Sequence, residues 1–445
     1  VSVFVVRTEP LSAVEGGDDV VLDFVPGSAH ATIQAGQGFF RSFRPTRAAA
    51  DLMLLSFGAY VTDRISARNA TADAWTRDLH LQFPVETAAG WPVAAAQEAL
   101  RFLTGDRWTL TARQQSAPVL EAVAEQDRGR VVADGVCLFS GGLDSLCGVI
   151  NLLETDPGLR LCLLSHYEGG QTPAAQTRLL RRLTDRYGRR VTSLRLFLRP
   201  APAHPAHARA LPESRETTTR SRSAMFLSTA LAIASSLGPD VPVYLPENGY
   251  IGLNAPLTRA RAGSLSTRTT HPHFLTLFTG LKNEAGVANP LINPYRLMTK
   301  GEMLTTNPNQ ALLRELAPAS ISCSHPEAAR YDGRAQGNCG YCFPCLIRRA
   351  SMAKAGWDQA ADYAWDALTD PHLLDAATHR SADLRAVLAG TRPGRPAIDV
   401  LRNGPLPRGE RRLFLDVWRR GSDEVRSWLT AGAQGDLADL LDTDT

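Results

Sequence analysis

The run GVCLFSGGLDSLCGVI, residues 135–150, decides the fold. It begins as an unbroken apolar segment, GVCLF, passes through Ser140-Gly141-Gly142 and then Asp144-Ser145, and turns apolar again. The first part predicts a short strand buried on both faces, and the second predicts a helix over 143–154. Glycines at such a joint let the backbone come close to a ligand. The helix start beyond them offers unpaired N–H groups and a partial positive charge, a setting suited to an anion. Ser140 and Ser145 add hydroxyl donors. Asp144 is the odd member, because a carboxylate repels phosphate unless a cation lies between them, and Mg²⁺ is the natural one. The competing interpretation is a plain glycine turn with a serine or aspartate helix cap. There is no G-x-x-x-x-G-K-[ST] pattern, so γ-phosphate transfer is not the favoured chemistry.

Outward from this joint, the chain from about residue 131 alternates strand and helix. LRLCLLSHY, RVTSLRLFL and VPVYLPENG read as further strands, and TPAAQTRLLRRLTDRYG and SRSAMFLSTALAIASSLG as helices. That order predicts a parallel sheet with helices on both faces, where ligands bind at the strand C-termini. The segment 199–215, RPAPAHPAHARALPESR, reads as a mobile loop. Residues 1–130 predict a β-rich α+β domain with helices near 45–56 and 93–103, and residues 356–445 a helical extension. The expected division is therefore 1–130, 131–355 and 356–445.

Composition narrows the class. The 445 residues carry 48 basic against 45 acidic side chains, a net charge of +3, which gives no electrostatic case for direct nucleic-acid binding. The longest apolar stretch, LSTALAIASSL, is too short to span a bilayer, and VSVFVVRTEP lacks the order of a signal peptide. A cytoplasmic protein without membrane partners is the expectation. Lysine occurs only at Lys282, Lys300 and Lys354, which draws attention to Lys300.

Seven cysteines without a signal argue against a disulfide framework. Cys323, Cys339, Cys342 and Cys345 fall in SCSHPEAARYDGRAQGNCGYCFPCLIRRA. Four thiolates with no open position suit structural Zn²⁺. An iron–sulfur cluster uses the same ligand set, and unrelated reduced cysteines are the remaining alternative. His325 is a reserve ligand or a loop residue.

The loop SGGLDS resembles the SGG-x-DS loop of the PP-loop ATP pyrophosphatases. Followed by the cysteine pattern and its Arg348, it is similar to QueC, the 7-cyano-7-deazaguanine synthase family. YEGGQ (167–171), RSAMFLSTALAIA and NPYRLMTKGEML match its segments in order, the last through Pro294, Lys300 and Glu302. The resemblance covers roughly 131–355. The added N- and C-terminal residues, PENGYIGLN and RAGSLSTRTTHPHF resemble the enlarged, QatC-type QueC-like proteins of bacterial anti-phage defence. His166 stands where QueC usually carries aspartate, and Ser223 where it carries asparagine.

The resemblance implies an adenine nucleotide alpha hydrolase-like fold with a zinc knuckle. It implies an AMP- and pyrophosphate-forming ligase that adenylates the carboxylate of 7-carboxy-7-deazaguanine for attack by an amine. That amine is ammonia in plain nitrile synthesis, or belongs to a cognate defence-system protein. A non-catalytic nucleotide-sensing scaffold is the alternative from another class. ATP would lie on Ser140, Gly141, Gly142, Leu143, Asp144 and Ser145, with Mg²⁺. Asp144, Lys300 and Arg222 are the candidate catalytic residues, and Tyr167, Gln171, Glu247 and Asn248 the candidate substrate contacts.

Overall fold

The computed structural model describes residues 3–8, 20–25, 31–115, 131–168, 171–202, 211, 215–216, 218–255, 257, 268–330, 332–334, 336–375, 377–392, 394 and 398–442. Most of the 199–215 loop and of the segment 261–267 lies outside the described residues.

The opening run is a strand, Gly135–Leu138, and a helix, Leu143–Thr155. In chain order the strands are β1 (Val3–Arg7), β2 (Val20–Asp23), β3 (Ile33–Ala35), β4 (Asp78–Val85), β5 (Arg107–Gln114), β6 (Gly135–Leu138), β7 (Leu161–Tyr167), β8 (Val191–Pro200), β9 (Val243–Tyr244) and β10 (Leu291–Ile292). The central sheet runs β10-β9-β6-β7-β8-β3, parallel throughout except for the antiparallel edge β3 on β8. From β6 the chain proceeds through β7 and β8 to one side and through β9 and β10 to the other. The loop 139–142 therefore sits at the point where strand order reverses, the usual ligand crevice of an open parallel sheet.

The sheet is covered on both faces, and its strands alternate accordingly. Val136, Leu138, Cys162 and Leu164 join a core with Leu227 and Leu231 of the helix Arg222–Leu237 and Phe274 and Phe278 of the helix Pro272–Glu284. Cys137, Leu161 and Leu163 join the opposite core with Leu146 and Ile150 of the loop helix and Leu179 and Leu183 of the helix Thr172–Tyr187.

The N-terminal part differs from the expected α+β arrangement. Its sheet, β2-β1-β4-β5, is entirely parallel. The helix Val93–Thr104 connects β4 to β5, and only a crossover of that kind returns the chain for parallel pairing. The helix expected over 45–56 extends over Arg47–Ile65, capped by Thr46, and is buried almost all round. It packs on β4 with one side and on the helix Arg222–Leu237 with the other. A Cβ on Gly58 would lie 2.5 Å from Val6 Cγ2, so the helix approaches β1 more closely than a side chain would allow. One apolar core consequently runs from Leu22 and Phe57 to Val136 and Leu231. Residue 131 marks a change of sequence pattern with no break in packing.

The C-terminal residues form the helices Ser381–Gly390, Ile398–Leu401, Arg411–Gly432 and Asp436–Asp442. Val417 and Leu429 share a core with Cys342, Cys345 and Leu346, so the extension packs on the cysteine-bearing helix Phe343–Lys354. Among the described residues no helix is long and apolar enough to cross a membrane.

Candidate active site and metal centre

The loop is folded by contacts that only glycine permits at one position. Gly141 has φ +81°, and a Cβ there would stand 2.9 Å from Gln176 Cγ. Gly142 N donates to Ser140 Oγ at 3.2 Å, Ser145 Oγ donates to Gly142 O at 2.9 Å, and the two serine oxygens are 3.4 Å apart. Two donors from outside the loop hold it. Gln176 Nε2 reaches Ser140 O at 3.1 Å and His166 O at 3.2 Å, and Ile321 N reaches Gly141 O at 3.0 Å. Ser322 Oγ accepts from Leu143 N at 3.0 Å.

Asp144 lies in the first turn of the loop helix and is 6% exposed. Its Oδ1 is 3.1 Å from Lys300 Nζ, and Lys300 is itself buried. Its Oδ2 accepts from Asn248 Nδ2 at 2.7 Å. Asn248 also caps the helix Gly249–Leu253 by accepting from Ile251 N at 2.9 Å, so the capping and site roles expected as alternatives coexist in one side chain. Glu247 adjoins the pair. Burial and then the Asp144 charge push its carboxyl well above the ordinary carboxylate range. Burial would raise Asp144 too, but Lys300 and the hydrogen bonds from Glu247 and Asn248 outweigh it and hold Asp144 below its usual value.

Beside this pair opens a cavity of about 210 Å³ lined by Ser140, Ser145, Arg222, Ser223, Glu247 and Thr270 together with apolar residues. Arg222 begins its helix and donates Nε to His166 Nδ1 at 3.1 Å. His166 Nε2 lies 3.0 Å from Leu198 O, so the ring is neutral with its proton on Nε2. Burial first, and then the Arg222 charge, pull its pKa down to about 3. His166 thus orients the arginine as a neutral acceptor.

Of the expected contacts, Ser140, Ser145, Arg222 and Glu247 line this cavity, Asp144 and Lys300 are outside its lining, joined to it through Glu247, and Asn248 lines a second cavity of about 330 Å³. Tyr167 and Gln171 lie elsewhere. Tyr167 packs on Phe197 with the Arg195 guanidinium 4.8 Å from its ring centroid. Gln171 donates to Glu327 and Gln336 of the segment that carries the cysteines. The residues missed by sequence reasoning are Gln176 and Ser322. Gln176 left a signal, a polar residue on the buried face Ala175-Leu179-Leu183 of its helix.

The sulfurs of Cys323, Cys339, Cys342 and Cys345 lie within 4.8 Å of one another. Cys323 and Cys342 are 3.8 Å apart, and Cys339 and Cys345 3.9 Å. A tetrahedral ion with bonds of about 2.3 Å has sulfur–sulfur edges of about 3.8 Å, so the set fits a single metal such as zinc. A multi-iron cluster, with its four thiolates shared among two or four irons, spreads its sulfurs further. N–H groups of His325, Cys339 and Ser324 point at the sulfurs, at 3.3, 3.3 and 3.4 Å, and offset their charge. Behind them Arg348, fully buried, donates to Ser320 Oγ at 2.7 Å and Ala317 O at 2.6 Å. Residues 320–322 are therefore pinned between the cysteine centre and the loop.

No protein-family model, curated protein or solved structure matches the chain.

Proposed function

We propose that the chain is a QueC-like ligase that forms AMP and pyrophosphate while activating the carboxylate of a 7-deazaguanine. The observation that carries this reading is the buried Asp144–Lys300 pair at the strand-order reversal, coupled to Glu247 of a cavity edged by Ser140, Ser145 and Arg222. A glycine turn needs no such pair, because burying two charges is costly unless they are used or well compensated.

In this reading the loop and the start of its helix hold the pyrophosphate portion of ATP, with serine hydroxyls donating to phosphate oxygens. Mg²⁺ would be held by Asp144, with Glu247 as the second carboxylate within reach, and would neutralise phosphate charge. The substrate carboxylate oxygen attacks the α-phosphorus, the bond to the bridging oxygen breaks, and pyrophosphate leaves with that electron pair. Lys300 and Arg222 offset the charge that builds on phosphorus and carboxylate. An amine then attacks the acyl carbon, loses a proton and displaces AMP. Zinc on the four cysteines serves structure, since four thiolates leave no position for substrate. The amine donor is ammonia or a group on a partner protein of an anti-phage system, a choice the resemblance leaves open.

The test is pyrophosphate release with Mg·ATP and 7-carboxy-7-deazaguanine, with products read by mass spectrometry with and without ammonia. Release is expected, falling at least about 100-fold in Asp144→Ala. An amide, or the nitrile formed when a second ATP activates the amide oxygen and it leaves with AMP, assigns ammonia as donor, and a persistent adenylate points to a protein acceptor. Full activity in Asp144→Ala, or no release at all, overturns the reading.

A further inference from the structure

Lys300 opens a helix of only six residues, Lys300–Thr305, too short to hold its own first turn. The capping box does part of this work: Thr299 Oγ1 accepts from Glu302 N at 3.1 Å, and Glu302 Oε2 accepts from Thr299 N at 2.9 Å. The other side of that box is gripped from the C-terminal extension. Thr299 Oγ1 donates to Glu424 Oε1, and Gly301 N donates to Glu424 Oε2 at 3.2 Å. Arg420 pairs through Nη1 with Glu302 Oε1, and its Nη2 reaches Leu297 O at 3.0 Å. Residues 420 and 424 are one turn apart and share a face of the helix Arg411–Gly432. An acid on the N-terminal half of the box and a base on its glutamate enclose Lys300 between them.

The fit is close. A Cβ on Gly301 would lie 2.7 Å from Glu424 Oε2 and 2.7 Å from Lys354 Cδ. Lys354 Nζ completes the arrangement at 2.6 Å from Glu424 Oε1. Between these two grips the same helix packs on the helix Gly249–Leu253, which Asn248, a second partner of Asp144, caps. A Cβ on Gly421 would be 2.3 Å from Tyr250 Cδ2, and Tyr250 Oη is 3.3 Å from Ser422 Oγ. Tyr250 belongs to the helix that Asn248 caps. One helix outside the QueC-like stretch therefore backs the elements that carry two of Asp144's three partners, Lys300 and Asn248.

We propose that the helix Arg411–Gly432 sets the position of Lys300 against Asp144, with Glu424 and Arg420 as its positioning residues. The consequence for turnover rests on the ligase reading, whereas the positioning itself does not.

The chain has three lysines, so acylation of each by a small amine-reactive ester is readily followed by peptide mass spectrometry. Lys282, buried and bonded to Val287 O at 3.0 Å, reports global opening. In the full chain, Glu424→Gln and Gly301→Ala are expected to raise Lys300 acylation about tenfold or more while Lys282 stays as in the parent. Pyrophosphate release should lose on the order of 100-fold in kcat, with KM for ATP within about threefold. Glu424→Asp should recover part of both. Unchanged Lys300 acylation in a folded variant overturns the proposal. If Lys282 also becomes reactive in Glu424→Gln, the same criterion applies to Arg420→Lys, which keeps the charge and loses the fork to Leu297. Exposed Lys300 in the variants beside a parent that releases no pyrophosphate sinks the ligase reading and leaves the positioning standing.

Discussion

At the scale of the residue, charge and burial decide what each group can do. His166 is 1% exposed and makes both of its ring contacts as a neutral imidazole, to Leu198 O and Arg222 Nε. Its pKa falls from 6.5 to about 3 in the folded chain, chiefly through desolvation. A group whose folded pKa is depressed stabilises the fold fully above its unfolded value and loses that contribution as pH falls. His166 therefore costs nothing above pH 6.5 and about 1.4 kcal/mol of stability for each pH unit below it, down towards pH 3. Protonation would also set a cation against Arg222 and remove its acceptor. The expected outcome in urea unfolding is that, from pH 6 to 4.5, the parent loses about 2 kcal/mol of stability relative to His166→Gln. Parallel curves would show that the ring is protonated in the folded chain or accessible to water. His271, also buried and depressed to about 3, acts in the same direction, whereas Asp51, which burial raises to about 6, acts in the opposite one, so the difference between parent and variant is the quantity to read.

At the scale of the element, the joint between β6 and its helix was legible because its demands are local. Five apolar residues, two glycines and a helix start read directly as strand, loop and helix. The strand β5 carries visible alternation in RWTLTARQ, and with Val93–Thr104 before it the parallel N-terminal sheet follows from connectivity, although residue type alone suggested α+β. Of the strand read in VPVYLPENG only Val243–Tyr244 forms β9, and β10, also two residues long, is set by its neighbour in the sheet with no local pattern to announce it. Cys323, Cys339, Cys342 and Cys345 were legible through spacing. Ser322 was not, since its role depends on a contact 179 residues away. The loop's local demand gives a prediction with its own control. Gly141→Ala forces a left-handed conformation on alanine, which costs about 1–2 kcal/mol, and drives Gln176 from its bonds to Ser140 O and His166 O. Denaturant unfolding should show a loss of about 2–3 kcal/mol, and ATP-dependent pyrophosphate release should be lost with it. Gly90→Ala, at φ +76° with open space around it, should lose only the conformational part and leave release unchanged. Equal effects at both glycines would mean that the loop's neighbours do not matter.

At the scale of the whole molecule, the cysteine centre, the loop and the C-terminal helix form one mechanical unit. Cys323 follows directly on Ile321 and Ser322, which bond Gly141 O and Leu143 N. Cys342 N-caps the helix Phe343–Lys354 and Cys345 lies in its first turn, and that helix packs on Arg411–Gly432 and sends Lys354 to Glu424. A metal on the four sulfurs would thus tie the loop 139–142 on one side to the support of Lys300 on the other. With the metal gone, four thiols 4.8 Å or less apart, three of them buried, would lose the ion that holds them, and with it binding energy that favours the folded state. Treatment with a chelator under reducing conditions should release one equivalent of zinc, lower the Tm, and abolish pyrophosphate release in the same titration. One added equivalent of zinc should restore both. Cys339→Ser should behave like the chelated protein, because it removes a ligand with little change in shape. Activity that persists after the zinc has left would separate the knuckle from the loop and show that the bonds from Ile321 and Ser322 survive on their own. Iron and sulfide in place of zinc would contradict the tetrahedral single-ion fit, whose sulfur edges of 3.8 and 3.9 Å leave room for one metal at the centre.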